Sequence, residues 1–164
     1  LRRNAIDFPL SMIGLPQGDN RVRDAAIEAL SSDPYFEVRA AAARLLGAQA
    51  AAGDTEVETA LCLALEDRSD AVLVEVLAAL ARVGSRAQLL DRLRQFYVHR
   101  DWRCRQETVH ALDQLLERGV LHAADVAGDV ELILSSAPNF EPSFPLKDSL
   151  EALVRRIQDQ QTVT

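Results

Sequence analysis

Asp33-Pro34-Tyr35-Phe36-Glu37-Val38-Arg39-Ala40-Ala41-Ala42-Ala43-Arg44-Leu45-Leu46-Gly47 is the stretch on which the fold class turns. Asp-Pro is turn chemistry, and a short carboxylate there can accept hydrogen bonds from the unpaired N–H groups that open a helix. Val38, Ala41, Ala42, Leu45 and Leu46 then fall at i, i+3, i+4, i+7 and i+8, which lays them on one stripe of an α-helix. Gly47 reads as the C-terminal stop of that helix. Working outward, the opening Asp recurs at fixed spacing: Asp33, Asp67 and Asp101 stand 34 residues apart, the signature of stacked helical hairpins.

The helix after each Asp repeats the register. Val72, Val76, Ala79, Leu80 and Val83 lead to Gly84, and Cys104, Thr108, Ala111, Leu112 and Leu115 lead to Gly119. Between these second helices lie first helices marked by Val22, Ala25, Ala26, Ala29 and Leu30, by Val57, Ala60, Leu61, Ala64 and Leu65, by Leu89, Leu90, Leu93, Phe96 and Tyr97, and by Val126, Val130, Ile133 and Leu134. A last helix is predicted over Leu146 to Gln160, giving four hairpins. Asn4 to Leu15 is read as an initial capping helix in which Pro9 sits near the start or makes a kink. Ala48 to Gly53 lengthens one link, and Ala137 to Pro145, with three prolines, is read as a non-helical insertion.

Composition narrows the function classes. The chain has 164 residues, 48% hydrophobic and 5% aromatic, and a formal net charge of −7. An acidic chain is a poor ligand for nucleic acid or anionic lipid, both of which are bound through Lys and Arg. No apolar run approaches the ~20 residues that cross a bilayer, and Leu1 to Asp7 does not resemble a signal peptide, so a cytoplasmic location is expected. Cys62 and Cys104 lie in helical patterns and read as small hydrophobes rather than a disulfide. The first residue is Leu, not Met, and the chain, one domain over residues 1–164, is expected to be a module of a longer protein.

The stretch from Asp33 to Gly47 resembles the second-helix signature of HEAT repeats, particularly the short bacterial type also found in phycobilin-lyase-like proteins. The resemblance covers about Val22 to Ile157 and fades along the chain, where Val38-Arg39 becomes Val72-Leu73, Cys104-Arg105 and Leu146-Lys147. It implies an all-α fold, a right-handed α-α superhelix with a concave face lined by second helices. It also implies a polar ladder, formed by the Asp and Arg of successive units, that sets the stacking, to which Asp33 with Arg39 and Asp101 with Arg105 would contribute rungs and in which Leu73 is a break.

Tyr97, His99, Arg100, Trp102, Arg103 and Arg105 form the densest functional-looking cluster, because aromatic and Arg side chains supply interface anchors with a polar handle; the bland alternative is that Phe96 and Tyr97 are core, Trp102 packs on the neighbouring repeat and the Arg residues are solvated or belong to the ladder. Phe140 and Phe144 mark a secondary candidate in the proline-rich insertion, where sealing the end of the stack is the bland alternative. His99, His110 and His122 are too widely spaced to ligate a metal from one helix, and no paired His-Glu dipeptide, phosphate loop, Cys-x-x-Cys or nucleophile motif is present. The reading is a non-enzymatic interaction, scaffold or regulatory module. It needs no cofactor, and it binds another protein, or another domain of its parent, on the second-helix surface. The alternatives are a ligand- or pigment-handling lyase-type protein and, further off, a nucleic-acid-binding enzyme.

Overall fold

A computed structural model describes residues 20–135 and 144–163, and all regular structure among them is helical. The chain divides into two compact units, Leu1–Val83 and Gly84–Thr164. The expected capping helix at Asn4 to Leu15 lies outside the described residues, as does Phe140.

The first unit contains two hairpins, α1 (Asn20–Ser32) with α2 (Phe36–Gln49), and α3 (Thr55–Ala64) with α4 (Asp70–Val83). First helix packs on first helix and second on second, α1 against α3 and α2 against α4, as repeat stacking requires. The apolar stripes meet as expected: Val22, Ala26 and Leu30 of α1, Val57 and Leu61 of α3, and Val72, Val76 and Leu80 of α4 are buried. On α2 the buried surface is wider than one stripe. Ala40 and Ala43 are buried along with Val38, Ala42, Leu45 and Leu46, because α2 is packed by α1 on one side and α4 on another.

Gly47 corrects the sequence reading. It does not end α2 but lies inside it, and a Cβ built on it would sit 2.8 Å from both Cα and Cβ of Ala79 on α4. It is a point of close helix approach. The link that follows uses Gly53 at φ +87°, whose N–H donates to the Val83 carbonyl at 3.2 Å and so ties the link to the end of α4. Asp54 then caps α3 by accepting from the Val57 N–H at 3.2 Å, filling one of the open donors of the first turn.

The second unit holds α5 (Leu89–Arg94), α6 (Trp102–Glu117), α7 (Ala123–Ser135) and α8 (Phe144–Thr162). α8 packs on both α6 and α7. Helix α8 starts at Phe144, earlier than expected, with Pro145 in its first turn, where a backbone N–H has no helical partner to lose.

α6 closes on Gly119 at φ +72°. The Gly119 N–H donates to the Leu116 carbonyl at 3.1 Å and the Val120 N–H to that of Leu115 at 2.9 Å, the paired bonds of a Schellman cap. No atom lies within 4 Å of a Cβ placed there, so a side chain would be opposed by backbone strain alone. Gly119→Ala should therefore cost about 1 kcal/mol in urea unfolding, and Gly119→Asn less, since Asn tolerates the left-handed region. Equal stability of all three proteins would contradict the cap.

Candidate functional site

The Asp residues that mark the repeat share one local bond. Asp33 accepts from the Tyr35 N–H, Asp67 from the Ser69 N–H and Asp101 from the Arg103 N–H, each at 2.9 Å. A carboxylate that holds the N–H two residues on shapes the turn into each second helix. Only Asp101 is also the residue immediately before its helix.

The turn into α6 begins with a change of helix type. A single helix through Leu89, Leu90, Leu93, Phe96 and Tyr97 was expected, but α5 stops at Arg94. The chain goes on in tight turns, with bonds from Phe96 N–H to the Leu93 carbonyl at 2.9 Å and from His99 N–H to the Phe96 carbonyl at 3.1 Å. Leu90, Leu93 and Phe96 are three residues apart, and side chains at that spacing eclipse in a three-residue turn. All three stay on one buried side.

Of the two readings of Tyr97, partner-facing or core, it takes the second. It is 3% exposed, and its hydroxyl donates to the Asp129 carboxylate of α7 at 2.7 Å. Burial pushes the phenol far above its ordinary range, and the bond to Asp129 adds to the rise while Arg94 opposes it. Tyr97 is an internal strut, because its one polar atom is already spent and its ring is enclosed. Asp129 also takes the Arg94 guanidinium, at 2.9 Å from Nε.

The remaining residues surround the turn. His99 is half-buried, its ring stacked on Phe96 at 5.7 Å between centroids, and its Nδ1 accepts from the Asp101 N–H at 3.1 Å. Val98 is 64% exposed and Trp102 42%, and Arg100 is exposed between them. Arg103 clasps Asp101, with Nη2 to Oδ2 at 2.8 Å. Its guanidinium holds the Asp101 carboxyl below the usual carboxylate range against the smaller opposing effect of burial, and the Arg103 N–H assists. Arg105 is half-buried one turn into α6. The turn thus presents two exposed apolar side chains, Val98 and Trp102, on a braced backbone with arginine nearby. Phe144 opens α8, away in sequence from this turn.

The polar ladder pairs otherwise than expected. Arg39 does not pair with the Asp33 carboxylate; its Nε and Nη2 donate to Asp67 at 2.7 and 3.0 Å, and its Nη1 to the Asp33 main-chain carbonyl at 2.9 Å. The rung therefore runs from one repeat to the next, as the resemblance implies, with Asp67 and not Asp33 as the carboxylate. Asp101 likewise pairs with Arg103 rather than serving Arg105 in the first instance, and Leu73, the break, is buried apolar core.

Burial pushes the Asp67 carboxyl up, but the Arg39 guanidinium and the Ser69 and Arg68 N–H groups outweigh it and hold it below the ordinary range. A carboxyl lowered on folding stabilises the protein above its unfolded value near 3.9, and that contribution is lost as pH falls through the folded value. The stability gap between wild type and Asp67→Asn should accordingly be open at pH 6 and close on acidification below about pH 4. Urea midpoints at pH 6 and pH 3 measure it, and a gap that widens in acid would reverse the assignment.

Other charge pairs went unread in the sequence. Arg23 with Asp54 and Arg44 with Glu75 each lie 31 residues apart, and Arg94 with Asp129 35 apart. Arg156 of α8 pairs with Asp113 of α6, and Gln160 donates to the Leu116 carbonyl at 3.1 Å. Opposite charges offset by about one repeat are the signal that finds most of them. No group of His, Cys, Asp and Glu suited to holding a metal occurs among the described residues, nor any helix long and apolar enough to cross a membrane.

A family model described as HEAT repeats matches residues 23–113. Neither the curated proteins nor the solved structures compared with the chain include a match.

Proposed function

The chain belongs to the HEAT-repeat family, whose repeats generally mediate protein–protein interaction or scaffolding, and from that premise we propose that it is a non-enzymatic module that captures a protein segment at the turn into α6. Exposed Trp102 carries the reading. An indole that is 42% exposed, on a turn braced by the Asp101 cap and the His99 bond, offers large rigid area at little entropic cost, the property that makes Trp an interface anchor. Val98 extends the apolar surface, and His99, Arg100, Arg103 and Arg105 supply the polar surround in which such anchors work. The second-helix surface of α6 continues from Trp102, which gives an extended segment somewhere to lie.

A cytoplasmic partner is in keeping with two cysteines that are thiols rather than a disulfide. The partner on this reading is another protein or another domain of the same parent.

The test is capture by photo-crosslinking from position 100 in extracts, with wild type beside the Trp102→Ala, Arg103→Ala double variant. Capture should fall at least about fivefold, corresponding to about 1 kcal/mol of anchor energy, with helical content and melting unchanged. Loss of fold in the double variant, or undiminished capture, would remove the site. A steep loss of binding with salt would point instead to phosphate or another small anion, because an aromatic anchor is only weakly screened.

A further inference from the structure

The first unit carries an exposed aromatic surface of its own, at the turn into α2. Tyr35 is 46% exposed and Phe36 45%. The chain has one Trp, two Tyr and five Phe, and here two of them stand side by side outside the core. Single exposed apolar side chains need no explanation, whereas a contiguous patch marks a contact surface.

The rings are presented on a held backbone. The Tyr35 N–H donates to Asp33 at 2.9 Å, and the Tyr35 carbonyl accepts from the Val38 and Arg39 N–H groups at 3.2 Å. The Arg39 guanidinium then joins two turns, since it donates to the Asp33 carbonyl on one side and to the Asp67 carboxylate on the other. The turns that open α2 and α4 therefore lie side by side, and Leu63, exposed in the last turn of α3, stands at the same edge. A surface that is already ordered loses little entropy when it is covered.

This edge is acidic. Asp33 and Glu37 border the aromatic pair, and Glu66, Asp67 and Asp70 belong to the adjoining turn and helix start, against Arg39 and Arg68. Five carboxylates to two guanidinium groups leave a formal excess of three negative charges among the described residues there. Such a surface repels nucleic acid and anionic lipid. A planar cation suits it, because a guanidinium stacks its face on an aromatic ring and donates from its edge to carboxylates. We propose that the edge formed by Tyr35, Phe36 and the carboxylates around them docks a basic protein segment, an Arg of which stacks on the aromatic pair.

Two properties of the edge select the same occupant. The rings favour Arg over aliphatic or acidic side chains, and the carboxylates favour a segment of net positive charge. An apolar residue flanking that Arg has Leu63 to rest on. The surface uses none of the residues placed at the turn into α6, so the two assignments stand or fall separately.

The experiment uses the full chain and short fluorescein-labelled peptides in which Arg, Lys or Glu alternates with Ser, with binding read by fluorescence anisotropy at low ionic strength. The Arg peptide should bind at least about threefold more tightly than the Lys peptide, and the Glu peptide not at all. Tyr35→Leu with Phe36→Leu keeps the bulk of the surface and removes the rings. With circular dichroism unchanged, this pair should weaken the Arg peptide at least about fivefold. Glu37→Lys should weaken it by as much, whereas Glu131→Lys on α7 makes the same charge change elsewhere and should alter binding less than about twofold. If the Leu pair unfolds the protein, Glu37→Lys beside Glu131→Lys decides the question. Absence of binding by the Arg peptide overturns the proposal, as does binding that the folded Leu pair leaves undiminished. Equal binding of the Arg and Lys peptides, or equal losses from Glu37→Lys and Glu131→Lys, assigns the attraction to net charge and overturns it. A loss on Trp102→Ala with Arg103→Ala as large as on the Leu pair places the peptide at the turn into α6 and overturns it too. Self-association that the Leu pair abolishes assigns the patch to a second copy, which also overturns it.

Discussion

Gly47→Ala should destabilise the protein by about 2 kcal/mol, although alanine is the better helix former. Inside an exposed helix this exchange gains up to about 1 kcal/mol, so the two expectations differ in sign. The opposing term is steric. The added Cβ would meet Ala79 Cα and Cβ at 2.8 Å, closer than carbon atoms approach, and the Cα is backbone that cannot swing aside. Either α2 and α4 separate, opening the packing between them, or the strain stays; overpacking of this kind costs about 1–3 kcal/mol. Gly47→Val should cost more. Ala79→Gly in the Gly47→Ala background removes one of the two clashes and leaves the other, so it should restore only part of the loss. Urea unfolding followed by circular dichroism decides it, and a Gly47→Ala protein more stable than wild type would show that α2 and α4 do not approach so closely.

The second large effect centres on Asp129. Its carboxylate accepts from the buried Tyr97 hydroxyl at 2.7 Å and from Arg94 at 2.9 and 3.3 Å. Asp129→Ala leaves that hydroxyl enclosed without its acceptor, and a buried donor stripped of its partner costs about 1–3 kcal/mol. A loss of about 2 kcal/mol is expected. Tyr97→Phe removes the donor together with its need and should cost about half as much. In the double variant the orphaned hydroxyl no longer exists, so the two losses should sum to more than the double variant shows. Strict additivity would mean that the two side chains do not share a bond. Because Tyr97 leads directly into the Val98 to Trp102 turn, Asp129→Ala should also weaken partner capture, whereas a position such as Gly119 should not.

The candidate cluster was legible as a stretch of sequence but not as a set of placements. Aromatic and Arg density at a turn identified Tyr97 to Arg105, yet density does not distinguish a side chain that faces out from one that faces in. Tyr97 and Trp102 are both aromatic and five residues apart, and one is a strut while the other is exposed. Glu58 makes the same point, a carboxylate only 1% exposed on α3 beside Val57, where residue type alone would put it at the surface.

Local chemistry had already set out the repeat: helix content, the pairing of first and second helices seen in α1 with α2, α3 with α4 and α7 with α8, the 34-residue placing of Asp33, Asp67 and Asp101, and the apolar stripes that form the core. These follow from local chemistry, since periodicity, caps and turn residues act within a few positions of themselves. Tertiary structure alone decided that Gly47 is a contact and not a stop, that Arg39 reaches Asp67 rather than the Asp33 carboxylate, and that Tyr97 is spent on Asp129. Each depends on which residue of another helix arrives at a given side chain. That is set by how closely and in what register two helices pack, to within an ångström, and no spacing along one helix contains it.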